Sequence, residues 1–225
     1  MIHLVVFDLD GTLVDSRRDL ANATNALIVE MGGQALAEER VTGMIGDGAA
    51  ALVKRALTAA SLDPDTPGAL DRFLTHYDVR LLDHTKAYPG MVDTLAELSR
   101  RARLAVLTNK PSAPTERLLD GLGLRRWFAD VVGGDTSEGR KPTPNGLMGI
   151  IHRASLTPGD ALLVGDSAID LATARNAGTR SCLARYGFGF NDTTLKSGSG
   201  EHVIDSPAAL VPLVDSLNGI RSSQN

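Results

Sequence analysis

The sequence predicts an α/β fold: a doubly wound parallel sheet with a small all-helical segment inserted after its first strand. Three observations predict it. Short apolar runs at 4–7, 104–107, 161–164 and 181–184 read as buried strands. Segments with helical spacing of apolar residues lie between the later runs, and strands alternating with helices give a parallel sheet. The stretch from Ser16 to His84 contains helical patterns and no strand pattern.

Taken in order, Leu4-Val5-Val6-Phe7 is the first strand, and Asp8-Leu9-Asp10-Gly11-Thr12-Leu13 follows it. Ser16 to Met31 is a helix, with Ser16 as its cap, Asp19 at the third position and Leu20, Leu27, Ile28 and Met31 on one face. Gly32-Gly33 stops it. Ala37 to Ile45 is a short helix, Gly46-Asp47-Gly48 a break, Ala49 to Ser61 a third helix and Ala69 to Leu82 a fourth. After Tyr88-Pro89-Gly90 come a helix over Met91 to Arg101, the strand Leu104–Leu107, a helix over Pro111 to Leu122 and a short strand at Val131-Val132. A helix over Pro144 to Ala154, the strand Ala161–Val164, a helix over Ser167 to Ala177 and the strand Ser181–Ala184 complete the pattern, before a last helix opened by Ser206-Pro207. These elements divide the chain into a core of 1–15 and 86–225 and a helical insert of 16–85. The polar end at 218–225 and the loop Ser197-Gly198-Ser199-Gly200 are expected to lack fixed structure.

Composition narrows the function classes. The chain has 225 residues with a net charge of −4 and a pI of about 5.7. No basic run or aromatic-basic stripe suggests a nucleic-acid partner. Cys182 is the single cysteine, so an intramolecular disulfide is impossible, and its place in a strand makes it core. No apolar run approaches the ~20 residues of a membrane span. The expectation is a soluble cytoplasmic monomer or homodimer with a small-molecule partner. The five histidines, at 3, 76, 84, 152 and 202, show no ligand spacing. Gly46-x-Gly48-x-x-Ala51 imitates a dinucleotide fingerprint but follows a helix, and there is no phosphate-binding G-x-x-x-x-G-K-[ST] loop.

Four short segments carry the chemistry. Asp8 and Asp10 end a buried strand, where ligands of open α/β sheets bind, and two carboxylates there are costly unless compensated. Gly11 lets the backbone leave the strand, so the two can be aimed at different tasks. Thr108-Asn109 ends the next core strand ahead of a helix N-terminus, whose free N–H groups suit a phosphate. Lys141 precedes two prolines in Lys141-Pro142-Thr143-Pro144 on a rigid approach to a helix. Asp166 ends the third core strand, with Asp170 four residues later in the first turn of a helix. Hard oxygens with room for water suit Mg²⁺. Asp8, Asp10, Asp166, Asp170 and a phosphate dianion cannot sit together against Lys141 alone, so the charge balance asks for a divalent cation.

In this order the four segments resemble the four motifs of the haloacid dehalogenase-like superfamily, mostly phosphatases and phosphotransferases on a Rossmann-like core. The resemblance implies that Asp8 is the nucleophile and Asp10 the general acid/base. The dehalogenases lack the second aspartate, so its presence argues for phosphoryl transfer. It further implies that Thr108, Asn109 and Lys141 hold the phosphoryl group. Mg²⁺ would be held by Asp8, the Asp10 backbone carbonyl and Asp166, with Asp170 in support. The insert falls where one class of these enzymes carries its cap, with Gly46-Asp47-Gly48 as a specificity loop. That loop, the Tyr88-Pro89-Gly90 linker, the Val164–Gly178 block and Tyr186-Gly187-Phe188-Gly189-Phe190-Asn191 are most similar to bacterial phosphoglycolate phosphatases. The implied reaction is Mg-dependent hydrolysis of 2-phosphoglycolate. A sugar-phosphate phosphatase and a phosphosugar mutase share the same sheet residues and are the alternatives. An inward Asp47 would repel an anionic substrate tail. Asp47 is therefore expected to point away or bond to backbone, with Arg17 or Lys54 as candidate cations for the tail.

Overall fold

The computed structural model describes residues 1–191 and 201–219. The expected loop at 197–200 and most of the expected tail lie outside them. In chain order the elements are β1 (Leu4–Phe7), β2 (Val14–Asp15), α1 (Arg17–Glu30), α2 (Glu38–Thr42), α3 (Ala49–Ala59), α4 (Ala69–Asp78), β3 (Lys86–Ala87), α5 (Met91–Leu98) and β4 (Arg103–Leu107). There follow α6 (Ser112–Gly121), β5 (Asp130–Val132), α7 (Asn145–Arg153), β6 (Ala161–Gly165), α8 (Ala168–Ala177), β7 (Arg180–Ala184), β8 (His202–Ile204) and α9 (Leu210–Leu217).

Six strands form one sheet in the order β5-β4-β1-β6-β7-β8, with every pair parallel. β1 is central: Phe7 sits in register with Val106 on one side and Val164 on the other. The chain builds outward from β1 through β4 and β5, then crosses back to build β6, β7 and β8. The switch in direction therefore falls at β1, and the carboxyl ends of β1, β4 and β6 converge there.

Period-two alternation sends the strand side chains into two apolar clusters. Val5, Phe7, Leu104, Val106, Leu162 and Val164 face one side, whereas Leu4, Val6, Ala105, Leu107 and Leu163 face the other. Burial on both faces explains why these strands read as unbroken apolar runs. The first cluster continues without interruption through Leu13 and Val14 into Leu20, Leu27, Leu52, Leu57, Phe73 and Tyr77 of the helical insert. The insert thus shares a core with one face of the sheet.

The junction between sheet and insert differs from the expected plain linkers. β2 and β3 pair antiparallel, Val14 with Ala87 and Asp15 with Lys86, so outgoing and returning chains form a two-stranded ribbon. Two residues per strand are too few to show as an alternation. Asp19 closes the junction from within. It is fully buried, and its carboxylate accepts the backbone N–H groups of His84 (2.9 Å) and Thr85 (2.7 Å) and the Thr85 hydroxyl (2.7 Å). Ser16 was expected to cap α1 with its side chain; its hydroxyl instead donates to Asp10 at 2.5 Å. The expected second helix shrinks to Glu38–Thr42, because turns begin at Gly43. β8 was not expected, as three residues behind a polar loop carry little pattern. Asn218, expected to begin an unstructured tail, accepts the Ile2 N–H at 2.5 Å.

Because the fully buried Asp19 carboxylate accepts the backbone N–H groups of His84 and Thr85, Asp19→Ala should lower stability by about 3 kcal/mol in urea unfolding, with Asp19→Asn costing less. A loss under ~0.5 kcal/mol, the usual range of an inconsequential surface change, would contradict the stapling role.

Candidate active site

The carboxyl ends of β1, β4 and β6 bring Asp8, Asp10, Thr108 and Asp166 to one cleft beneath the insert. The cleft encloses about 670 Å³ including its open mouth. Asp8 is buried, and the Lys141 ammonium lies 2.7 Å from its Oδ1. The same ammonium lies 2.6 Å from Asp170 Oδ1. Asp170 Oδ2 accepts the Ser167 N–H (3.1 Å) and hydroxyl (2.6 Å), a capping box at the start of α8. Asp170 is therefore fixed as the anchor that holds Lys141 against Asp8. Burial and these two carboxylates act in opposite directions on Lys141; the carboxylates win, and the ammonium is held more tightly protonated than usual.

Asp10 points elsewhere, as the break at Gly11 allows. Its carboxylate accepts from Ser16 Oγ and from Lys110 Nζ, the latter at 3.1 and 2.9 Å. Lys110 is buried, with its ammonium over the Tyr77 ring 4.5 Å from the centroid. The sequence reading missed this lysine. Its signal was the dipeptide Lys110-Pro111, the same Lys-Pro that singled out Lys141, here directly behind a core strand.

Thr108 is buried at the end of β4, and its hydroxyl accepts the Lys110 N–H at 3.2 Å. Asn109, expected to hold a phosphoryl oxygen, spends its side chain on backbone. It donates to Gly46 O (3.2 Å) and Lys141 O (3.1 Å) and accepts the Lys141 N–H (2.8 Å). It ties together three loops. Gly46 and Gly48 line the cleft with positive φ, and a Cβ on Gly48 would meet Asn109 O at 2.9 Å, so the loop approaches the sheet as closely as glycine permits. The Asp47 carboxylate pairs with Arg55, and Asp47 O accepts from Arg140. The candidate cations are engaged by carboxylates: Arg17 forks onto Asp15 (2.6 and 2.8 Å) and lies 5.9 Å from the ring centroid of Phe188 at the cleft's edge, and Lys54 pairs with Asp65 (2.7 Å).

Asp166 accepts the Gly189 N–H at 2.7 Å and has no ion pair among the described residues. A Cβ on Gly11, at φ +88°, would fall 1.9 Å from Asp166 Oδ2, so the first loop packs directly on this carboxylate. One carboxylate oxygen from each of Asp8, Asp166 and Asp170 lies within 4.8 Å of the others. Burial lifts Asp8 from 3.8 to about 6 against the pull of Lys141. Burial, then the charges of Asp8 and Asp170, raise Asp166 well above the usual carboxylate range. Hard, buried oxygens that repel one another fit a divalent cation. Asp8 and Asp166 would supply them, since Lys141 and Ser167 together engage both Asp170 oxygens.

The sequence model of the haloacid dehalogenase-like hydrolases matches residues 5–184. Phosphoglycolate phosphatase 1 of Pseudomonas aeruginosa is 40% identical over 221 residues, covering 95% of this chain and 80% of its own. The phosphoglycolate phosphatase of Rhodospirillum rubrum is 43% identical over 196 residues, covering 84% and 81%. The crystal structure of a predicted phosphoglycolate phosphatase from Haemophilus somnus superposes with a TM-score of 0.86 at 28% identity, covering 95% of this chain and 98% of that one. Among the described residues no helix is long and apolar enough to cross a membrane.

The Asp8 shift gives a pH-dependent expectation for the cation-free protein. A carboxyl with a folded pKa of about 6 and an unfolded value near 3.8 binds its proton more tightly when folded. Its contribution, on the order of 3 kcal/mol, is present below pH 4 and lost as pH rises through 6. A divalent cation replaces that proton, so Mg²⁺ should raise Tm more at pH 7.5 than at pH 5. Equal shifts at both pH values would contradict the assignment.

Proposed function

The chain belongs to the haloacid dehalogenase-like hydrolases, and from that premise we propose that it is a Mg²⁺-dependent phosphomonoester hydrolase that converts 2-phosphoglycolate to glycolate and phosphate. One observation carries the reading: the two carboxylates after β1 have separate partners, Lys141 for Asp8 and Lys110 with Ser16 for Asp10. Paired carboxylates with unlike surroundings are suited to unlike roles. The names of the relatives support the substrate.

Asp8 is the nucleophile. Its carboxylate oxygen attacks phosphorus in line, a P–O bond to Asp8 forms, and the bond to the glycolate oxygen breaks. Lys141 keeps Asp8 oriented and offers positive charge to the incoming phosphoryl oxygens. Asp10, which takes up a proton as the substrate binds, gives it to the departing alkoxide oxygen. It then removes a proton from the water that attacks phosphorus, which releases phosphate and restores Asp8. Ser16 and Lys110 hold the Asp10 carboxylate in place for both transfers. Thr108, at the end of β4, positions a phosphoryl oxygen, since positioning and charge stabilisation dominate phosphoryl transfer. Asp8, Asp166 and the Asp10 backbone carbonyl would hold the cation, which would supply charge neutralisation to the phosphoryl group. Asp170 acts through Lys141.

Phosphate release from 2-phosphoglycolate tests the reading. Wild type should turn over with Mg²⁺ and stop in excess chelator. Asp8→Asn should leave no measurable turnover while keeping the fold, and Asp10→Asn should lose roughly 10²–10⁴-fold in kcat. Asp8→Asn activity above a few per cent of wild type would assign the nucleophile elsewhere.

A further inference from the structure

The wall of the cleft that the insert supplies is built from Leu20, Ile45, Leu52, Phe73, Leu74 and Tyr77. It is an apolar chamber, and it adjoins Asp10. A leaving group that carries its own carboxylate is poorly solvated there and is repelled by Asp10 unless a cation meets it. The cations expected to meet it, Arg17 and Lys54, are engaged on Asp15 and Asp65, Arg55 and Arg140 are engaged on Asp47, and none of the four lines the cleft. Among the described residues that line it, Lys110 alone has a cationic side chain.

Two elements converge on this point. Lys110 comes from the β4–α6 connection, and its ammonium touches both Asp10 oxygens, on the side where the leaving oxygen must receive its proton. Tyr77 comes from α4 of the insert and stacks on Phe73, with ring centroids 5.9 Å apart and planes within 8° of parallel, which fixes its plane. Tyr77 is 2% exposed, and its hydroxyl makes no hydrogen bond of regular geometry among the described residues, with the Lys110 ammonium set beside it. A buried hydroxyl so placed keeps its O–H free to donate. Burial pushes the phenol up to about 12, so it remains a donor at neutral pH.

We propose that Lys110 and Tyr77 form the subsite that receives the carboxylate tail of the substrate, and that this pair sets the selectivity for anion-tailed phosphomonoesters. The inference rests on the phosphomonoesterase reading above and adds the residues that choose the substrate. Lys110 supplies charge to the tail while it holds Asp10, and Tyr77 donates to a tail oxygen. The subsite is complete only with α4 over the sheet, so an anionic tail also favours the seated position of the insert.

The test compares kcat/KM for 2-phosphoglycolate with that for ethyl phosphate, which has the same backbone length and no carboxylate. Wild type should favour 2-phosphoglycolate. Tyr77→Phe removes a single oxygen, and it should lower the ratio of the two kcat/KM values about tenfold, mainly through KM for 2-phosphoglycolate. Lys110→Gln should lower kcat on both esters, because Asp10 loses its partner, and should lower the ratio at least as far as Tyr77→Phe. If Lys110→Gln does not fold, the near-isosteric Tyr77→Phe decides alone. A wild type that favours ethyl phosphate, or variants that lose equally on both esters, would overturn the subsite and leave the phosphatase intact. A wild type inactive on both esters would overturn the underlying reading as well.

Discussion

The site depends on a surplus of buried negative charge. Asp8, Asp10, Asp166 and Asp170 gather at the ends of β1 and β6, and two buried lysines answer them: Lys141 spans Asp8 and Asp170, and Lys110 takes Asp10. Asp166 is left over. Burying carboxylates is costly, and pairing with lysines only partly offsets that cost. The same imbalance that raises Asp8 and Asp166 makes the site receptive to a divalent cation and then to a phosphate.

The rest of the architecture can be understood as holding these charges together. The parallel sheet ends three buried strands at one level, so residues distant in sequence converge without long side chains. Glycines let backbone close over Asp166: a Cβ on Gly187 would lie 2.3 Å from Asp166 Cβ and from Gly11 O. Gly165 makes room for Asp170 in the same way, with a virtual Cβ 2.2 Å from Asp170 Cγ. Asn109 binds the Lys141 loop and the Gly46 loop to the end of β4, so the phosphate-facing wall and the insert share one hydrogen-bonded brace. Tyr186 donates to Thr12 O at 3.1 Å and meets Tyr88 edge-on, closing the far side.

Much of this was legible in the sequence. Strand runs buried on both faces, such as Leu4–Phe7 and Ala161–Val164, show plainly, and the residues directly behind them mark the cleft. Lys141 and Asp170 were placed by spacing and resemblance, and each has a buried charged partner. What escaped notice depends on tertiary geometry. Lys110 carried no expectation, because a lysine's neighbours in sequence do not reveal that Asp10 and Tyr77 enclose it. Ser16 resembled a helix cap because its local pattern is that of one, but Asp10, six residues earlier, captures the hydroxyl. Asn109 resembled a phosphate ligand by position, whereas its partners, Gly46 and Lys141, come from segments whose approach the sequence does not display. The β2–β3 ribbon and β8 are too short to carry a period.

The central claim is that Asp8 and Asp166 lack one divalent cation's worth of charge. Calorimetric titration of chelator-treated protein with Mg²⁺, in two buffers of different ionisation enthalpy at pH 6, tests it directly. Ligating carboxylates must be deprotonated, so binding at a raised carboxyl releases protons. One site per chain, a buffer-dependent enthalpy at pH 6 and loss of the site in Asp166→Asn are expected. Binding with the same enthalpy in both buffers, or binding that survives Asp166→Asn, would contradict it.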